Sequence, residues 1–141
     1  MPIQHSYLDG GLGLLLMCDG TITGKDLIQF NEYALALVQA KKNVSSYCIV
    51  DYSPATTFDV STPEIEILAA QDKKLAEYID DYVVALIAKR DLEYGISRMW
   101  ETVLQTSGLQ WETMVFRERN DAESWLREIF AEKHNKHLTF A

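Results

Sequence analysis

The residues of this chain that could do chemistry are few and lie far apart. The histidines are His5 near the start and His134 and His137 near the end. A nucleophilic triad needs a Ser or Cys within reach of a His that a carboxylate orients, and no histidine falls in the loops where the central strands should end. His134 and His137 stand three apart and could share a metal on a helix face, but no third ligand accompanies them. A basic helix end facing the macrodipole is the simpler account. Cys18 and Cys48 sit singly in apolar stretches without CxxC spacing, which reads as two buried free thiols rather than a disulfide or zinc framework. Asp80 and Asp81 are adjacent, so their side chains diverge and form a solvated boundary, not an acid/base pair. Gly10-Gly11 and Gly20 have no GxGxxG or GK[ST] continuation, which leaves nucleotide binding by those routes unsupported. Arg98 lies one turn from Tyr94 and three residues before Glu101; it reads as a helix ion pair, or alternatively as a contact for a ligand or partner. A chain without catalytic residues, metal or cofactor is expected.

With 141 residues, 48% of them hydrophobic, the chain has the size and composition of one folded domain. Its 21 acidic residues against 13 basic ones give a net charge of -8, which excludes a general nucleic-acid or anionic-membrane surface. The first ten residues carry no Lys or Arg and no long apolar run, so no secretory signal is expected. The longest apolar runs, at 14–18 and 83–88, fall far short of the ~20 residues that cross a bilayer. No membrane span is expected, and with two free thiols a cytoplasmic location follows as an expectation.

The elements that must position these residues are legible as periodicities. Alternation over 3–8, a turn at Asp9-Gly10-Gly11 and an apolar run over 12–18 predict an opening hairpin. Thr23, three residues before Asp26, predicts a helix N-cap; Leu27, Phe30, Ala34, Leu37 and Val38 follow at helical spacing until Lys41, Lys42 and Asn43. The run Tyr47-Cys48-Ile49-Val50 within 44–52 predicts a strand covered on both faces, followed by a polar loop over 53–59. Ser61 with Glu64 forms a capping box, or Thr62 caps with Pro63 in the first turn. The helix stripe is Ile65, Leu68, Ala69, Leu75, Ala76 and Ile79, and Asp72 interrupts it. Residues 82–88 form the most hydrophobic strand, expected at the sheet centre. Asp91 then caps a helix that turns Leu92, Ile96, Met99, Trp100, Val103 and Leu104 inward and stops at Gly108. A last strand over 111–117 precedes a helix capped by Asn120 with Glu123, with Ala122, Trp125, Leu126, Ile129 and Phe130 inward. Residues 1–133 are expected as the domain and 134–141 as a loose tail. The order β-β-α-β-α-β-α-β-α predicts a single α/β domain with a mixed, mostly parallel five-stranded sheet covered by four helices.

One stretch carries a family resemblance. Ile49-Val50-Asp51-Tyr52-Ser53-Pro54-Ala55-Thr56-Thr57-Phe58-Asp59-Val60-Ser61-Thr62 resembles the strand-loop-helix of STAS domains, the fold of anti-sigma-factor antagonists. Tyr94-Gly95-Ile96-Ser97-Arg98-Met99-Trp100-Glu101, and a Phe116-Arg117 strand followed by Ala122, Trp125 and Leu126, are similar to the bacterial SpoIIAA-like branch. The resemblance implies a non-catalytic regulatory or protein-interaction module, with Ser61 at the position that a partner kinase phosphorylates in the antagonists. Where they carry Asp-Ser-Ser-Gly, this chain reads Asp59-Val60-Ser61-Thr62. A phosphate at Ser61 would add about -1.5 to -2 charge at a helix start.

Ligands of open parallel sheets bind beyond the carboxyl ends of the strands. There Tyr52, Ser53, Thr56, Thr57 and Phe58 are expected either to line a pocket mouth, with Lys89, Arg90 or Arg117 meeting an anionic head group, or to form an ordinary solvated edge. Asp59, Thr62, Tyr94 and Arg98 complete the candidate surface. Ile67 and Tyr78 fall off the buried stripe and read as exposed apolar groups of an interaction face. Residues 64–81 hold Glu64, Glu66, Asp72, Glu77, Asp80 and Asp81 against Lys73 and Lys74, a net -4 that is half the excess charge of the chain. The expected partner is therefore a protein with a basic surface, and a homodimer is also admitted. The alternative function is a carrier or sensor of a small apolar or amphipathic ligand, and the feature that separates the two is a cavity between sheet and helices.

Overall fold

The computed structural model describes residues 2–42 and 44–141. β1 (Ile3–Leu8) and β2 (Gly13–Cys18) pair antiparallel, Ile3 opposite Cys18 and Leu8 opposite Gly13. The turn between them places Asp9 and Gly10 at φ 52 and 68, the left-handed region that an Asp-Gly pair tolerates. Beyond the hairpin follow β3 (Gly20–Thr23), α1 (Gly24–Gln39), β4 (Tyr47–Asp51), β5 (Ala55–Asp59), α2 (Thr62–Leu75), β6 (Val83–Ile87), α3 (Asp91–Thr106), β7 (Glu112–Phe116) and α4 (Arg119–His134). The main sheet runs β1-β2-β4-β6-β7, parallel in every pair after the first. This is the expected α/β domain with a mixed five-stranded sheet and four helices. β6 is buried along its whole length, but the middle strand is β4.

Alternation sorts the side chains of the sheet between two layers. Tyr47, Ile49, Val83, Ala85 and Ile87 meet Ala122, Leu126 and Phe130 of α4 on one face. On the other, Leu16, Cys48, Val84, Leu86 and Val115 lie under α1, α2 and α3. One helix therefore covers one face and three cover the other.

An element absent from the sequence expectation is a second sheet. β3 and β5 pair parallel, with Thr23 opposite Asp59, where a strand end and a polar loop were expected. Ile22, Ala55 and Phe58 are buried while Thr21, Thr56 and Thr57 face water, so short threonine-rich strands carry too little apolar signal to stand out. The helix starts also differ in part. Thr23 caps α1 as expected, its hydroxyl accepting from the Asp26 N–H at 3.2 Å. Asp91 and Asn120 do not cap: α3 and α4 begin after Arg90 and Glu118 without a side-chain cap. Charge pairs fix those turns, Arg90 to Glu93 at 2.8 Å and Arg119 to Glu123 at 3.2 Å. Leu92 and Met99, expected inward, are 56% and 40% exposed because the arc of α3 that meets the core is narrower, centred on Ser97, Trp100 and Leu104. α1 ends at Gln39; Asn43, expected at its close, lies outside the described residues.

Of residues 134–141, expected to be loose, His134 closes α4 and the rest are docked. Asn135 leaves α4 in the left-handed conformation, and Leu138 is fully buried against the α4 side of the core. The Asp9 carboxylate accepts from the Thr139 N–H at 2.8 Å, the Thr139 hydroxyl at 2.7 Å, the Phe140 N–H at 3.1 Å and the Tyr47 hydroxyl at 2.6 Å. Burial alone would raise the Asp9 pKa; these donors outweigh it and hold the group below its ordinary value. Among the described residues no helix is long and apolar enough to cross a membrane.

Candidate functional site

The layer of α1, α2 and α3 does not close completely onto the sheet. In α1 only Gly24 and Val38 are buried; Leu27, Phe30 and Ala34, expected as a buried stripe, are half-buried because they face a gap. That gap is a cavity of about 120 Å³. Its floor is Leu14, Leu16, Cys48, Val50, Val84 and Leu86 of the sheet, and its roof includes Leu68 of α2 and Trp100 of α3. Cavities of ~150 Å³ with aliphatic and aromatic walls hold one benzene-sized molecule. A smaller recess of about 50 Å³ shares Leu14, Phe30 and Ala34 with it and continues to His5, Tyr7 and Tyr33 at the β1 edge.

Among the described residues Asp72 is the one acid on this wall. Helical spacing puts it on the face of α2 that carries Leu68 and Leu75, so the stripe that it interrupts takes a carboxyl into the core. It is 6% exposed. The Trp100 indole N–H donates to Oδ2 at 2.7 Å, and the Asn31 amide donates to Oδ1 at 3.4 Å. Burial pushes the group up to about 7, and the two donors only partly offset it. The other titratable groups on the wall are neutral there: burial pushes the Cys48 thiol up to about 12 and the Tyr52 and Tyr82 hydroxyls well above their usual range. Among the described residues no Lys, Arg or His lines the cavity. Among the described residues Asp72 is therefore the only group on the wall that changes charge near neutral pH.

The residues singled out from the sequence are divided by the fold. Tyr52 and Phe58 come together edge to face at 5.0 Å, both buried, as interior walls of the cavity rather than its mouth. Ser53 donates its N–H to Asp51 at 2.8 Å. Thr56, Thr57, Asp59 and Thr62 are exposed outside the cavity. The cations near them are engaged: Arg90 with Glu93 and the Thr56 carbonyl, Arg117 with Asp91 and the Lys89 carbonyl, and Lys89 with Glu118 at 3.7 Å. The Arg117 guanidinium lies 4.1 Å over the Tyr94 ring. Arg98 reaches Glu101 at 3.5 Å, the expected helix ion pair. Ile67 and Tyr78 are exposed as expected, Trp100 is core, and Cys18 and Cys48 are buried free thiols. Among the described residues no cluster of three His, Cys, Asp or Glu could hold a metal ion.

Ser61, and not Thr62, caps α2. Its N–H donates to Glu64 Oε1 at 2.8 Å, its hydroxyl donates to the same oxygen at 2.9 Å, and the Glu64 N–H reaches back to it at 3.4 Å. Ser61→Ala is expected to remove ~1 kcal/mol, read as a fall of a few degrees in the thermal midpoint. An unchanged midpoint would show that the cap is redundant.

No family model and no curated protein matches the chain. Solved structures similar to it include the following three. An uncharacterised protein of the DUF3478 family with a SpoIIAA-like fold from Shewanella loihica is 20% identical over 88% of this chain and 91% of its own, with a TM-score of 0.49. The phosphorylated form of SpoIIAA, the Bacillus cell fate determinant, is 12% identical over 89% of this chain and 99% of its own, with a TM-score of 0.49. The unphosphorylated form of the anti-sigma factor antagonist SpoIIAA is 8% identical over 89% of this chain and 97% of its own, with a TM-score of 0.51. At such identities the likeness is one of architecture: a mixed five-stranded sheet with α4 on one face and three helices on the other is a SpoIIAA-like fold.

Proposed function

We propose that this chain is a non-catalytic carrier or sensor that holds one small, largely apolar molecule between its sheet and α1, α2 and α3. The cavity of about 120 Å³, apolar on nearly every side and carrying one convergent polar group, supports this reading. Native mass spectrometry of freshly purified protein tests the proposal, followed by titration of the emptied protein with 1-pentanol. The expected result is a co-purified small molecule released on denaturation, or saturable pentanol binding. A bare chain that binds no pentanol overturns it.

A second reading, a regulatory module that docks a protein with a basic surface, is supported by the apolar side chains of Ile67 and Tyr78 left in water and by the acidic excess of residues 64–81. Ser61 is exposed, as a phosphoacceptor must be, although a phosphate there would displace the Glu64 carboxylate from the cap. If Ser61 is a switch, Ser61→Ala and Ser61→Asp must differ in the partners they retain. Two variants that both retain every partner of the unmodified chain overturn that reading.

A further inference from the structure

We infer that the molecule taken by the cavity is a protonated organic amine, its ammonium seated at Asp72 and its apolar body along the wall. The inference rests on the cavity being a ligand site; the buried acids of the chain differ in the partners they find. Asp51 pairs with Arg119 at 3.4 Å, Glu93 with Arg90 at 2.8 Å and Glu101 with Arg98 at 3.5 Å. Among the described residues Asp72 has no cation; its partners are the neutral donors Trp100 and Asn31. It is also the only one of these four acids that lines the cavity. A buried carboxylate is costly unless it is both paired and hydrogen-bonded. The missing partner in this chain is a positive charge, and the space beside the carboxyl is open to a ligand that brings one. A carboxylate has about four acceptor positions. Two donors occupy it, so further positions are available to an ammonium.

The rest of the wall agrees in sign. Phe30, Tyr52, Phe58 and Trp100 present aromatic rings, whose negative faces attract an organic cation. An anionic ligand would meet Asp72 with like charge. A neutral one would leave the carboxylate as costly as before. The groups facing Asp72 from the elements around it are Asn31 from α1, Cys48 and Tyr52 at β4, Tyr82 before β6, and Ser97 and Trp100 from α3. None of them carries charge near neutral pH, so the charge of Asp72 alone sets the preference.

The experiment compares n-pentylamine with 1-pentanol, equal in length and close in volume, by following the Trp100 indole N–H resonance during titration. At about pH 8 pentylamine should bind at least ~10-fold more tightly than pentanol, as a charge-assisted contact in a dry site predicts. At about pH 5.5 pentylamine keeps its charge while Asp72 loses its own, and most of the preference should vanish. Asp72→Asn should show no preference for pentylamine over pentanol at either pH. Equal affinities at about pH 8, or a preference that survives both acidification and the substitution, overturn the amine assignment while leaving the cavity a ligand site. Binding of neither probe overturns both. Should Asp72→Asn fail to fold, the pH series on the native chain decides.

Discussion

Asp72→Asn should unfold at a higher urea concentration than the native chain at pH 8 and at nearly the same concentration at pH 4. The carboxyl has an ordinary pKa of 3.8 and is raised by burial to about 7 in the folded state. Between those values the folded chain binds more protons than the unfolded chain, so stability falls as pH rises through the interval. It is complete below the unfolded value and lost above the folded one. At about 1.4 kcal/mol per unit, the loss is roughly 4 kcal/mol. That is a large part of the ~5–15 kcal/mol that holds a domain together. Asparagine keeps the shape and the acceptor for the Trp100 N–H, and Asn31 can turn its own oxygen to the new amide. Only the titration disappears. Taking the difference in urea midpoint between variant and native chain at each pH cancels every other titrating group, and that difference should grow between about pH 4 and 7 and then level. A difference independent of pH would mean that Asp72 keeps an ordinary carboxylate pKa. A bound amine should reduce the difference at pH 8, because it supplies the charge that the folded chain lacks.

The same residue shows what a sequence can and cannot disclose. An aspartate in the apolar stripe of α2 is visible as an interruption, but its donors stand 41 and 28 residues away, and only the packing of α1 and α3 against α2 brings Asn31 and Trp100 to it. Tyr52 and Phe58 were expected at a pocket mouth or on a solvated edge, and both instead face inward. Their inward direction depends on β5, a strand too short and polar to be recognised beside the continuous apolar runs of β4 and β6. The five strands of the main sheet and all four helices were legible because two-sided burial and helical stripes leave long periodic signals. The starts of α3 and α4 were misplaced for a local reason. Asp91 and Asn120 fit a cap pattern, yet Arg90 to Glu93 and Arg119 to Glu123 set the turn differently.

Leu138→Ala should cost ~2–5 kcal/mol, the loss typical of a fully buried leucine, even though its place near the chain end suggests a tolerant site. α4 alone cannot cover its face of the sheet, and the terminal segment supplies the remainder. Leu138 is fully buried, and Phe140 stands 5.9 Å edge-on to Tyr47 beneath the Arg127 guanidinium. The polar half of the attachment spans 130 residues, from Thr139 to Asp9. No local pattern could announce it, because a lone leucine among polar residues carries no periodicity. The two halves should separate by pH. Asp9 is held below its ordinary value of 3.8, so its contribution is intact above that value and is lost as pH falls through the lower folded pKa. This is opposite in sign to Asp72, whose cost disappears in acid. Hydrogen exchange at the Thr139 and Phe140 amides measures the attachment directly. Protection should hold from neutral pH to about 4, weaken below it, and be low at every pH in Asp9→Ala. Leu138→Ala should lower the urea midpoint across the whole range without that acid dependence. A Leu138→Ala midpoint equal to the native one would mean that the segment lies on the core without stabilising it.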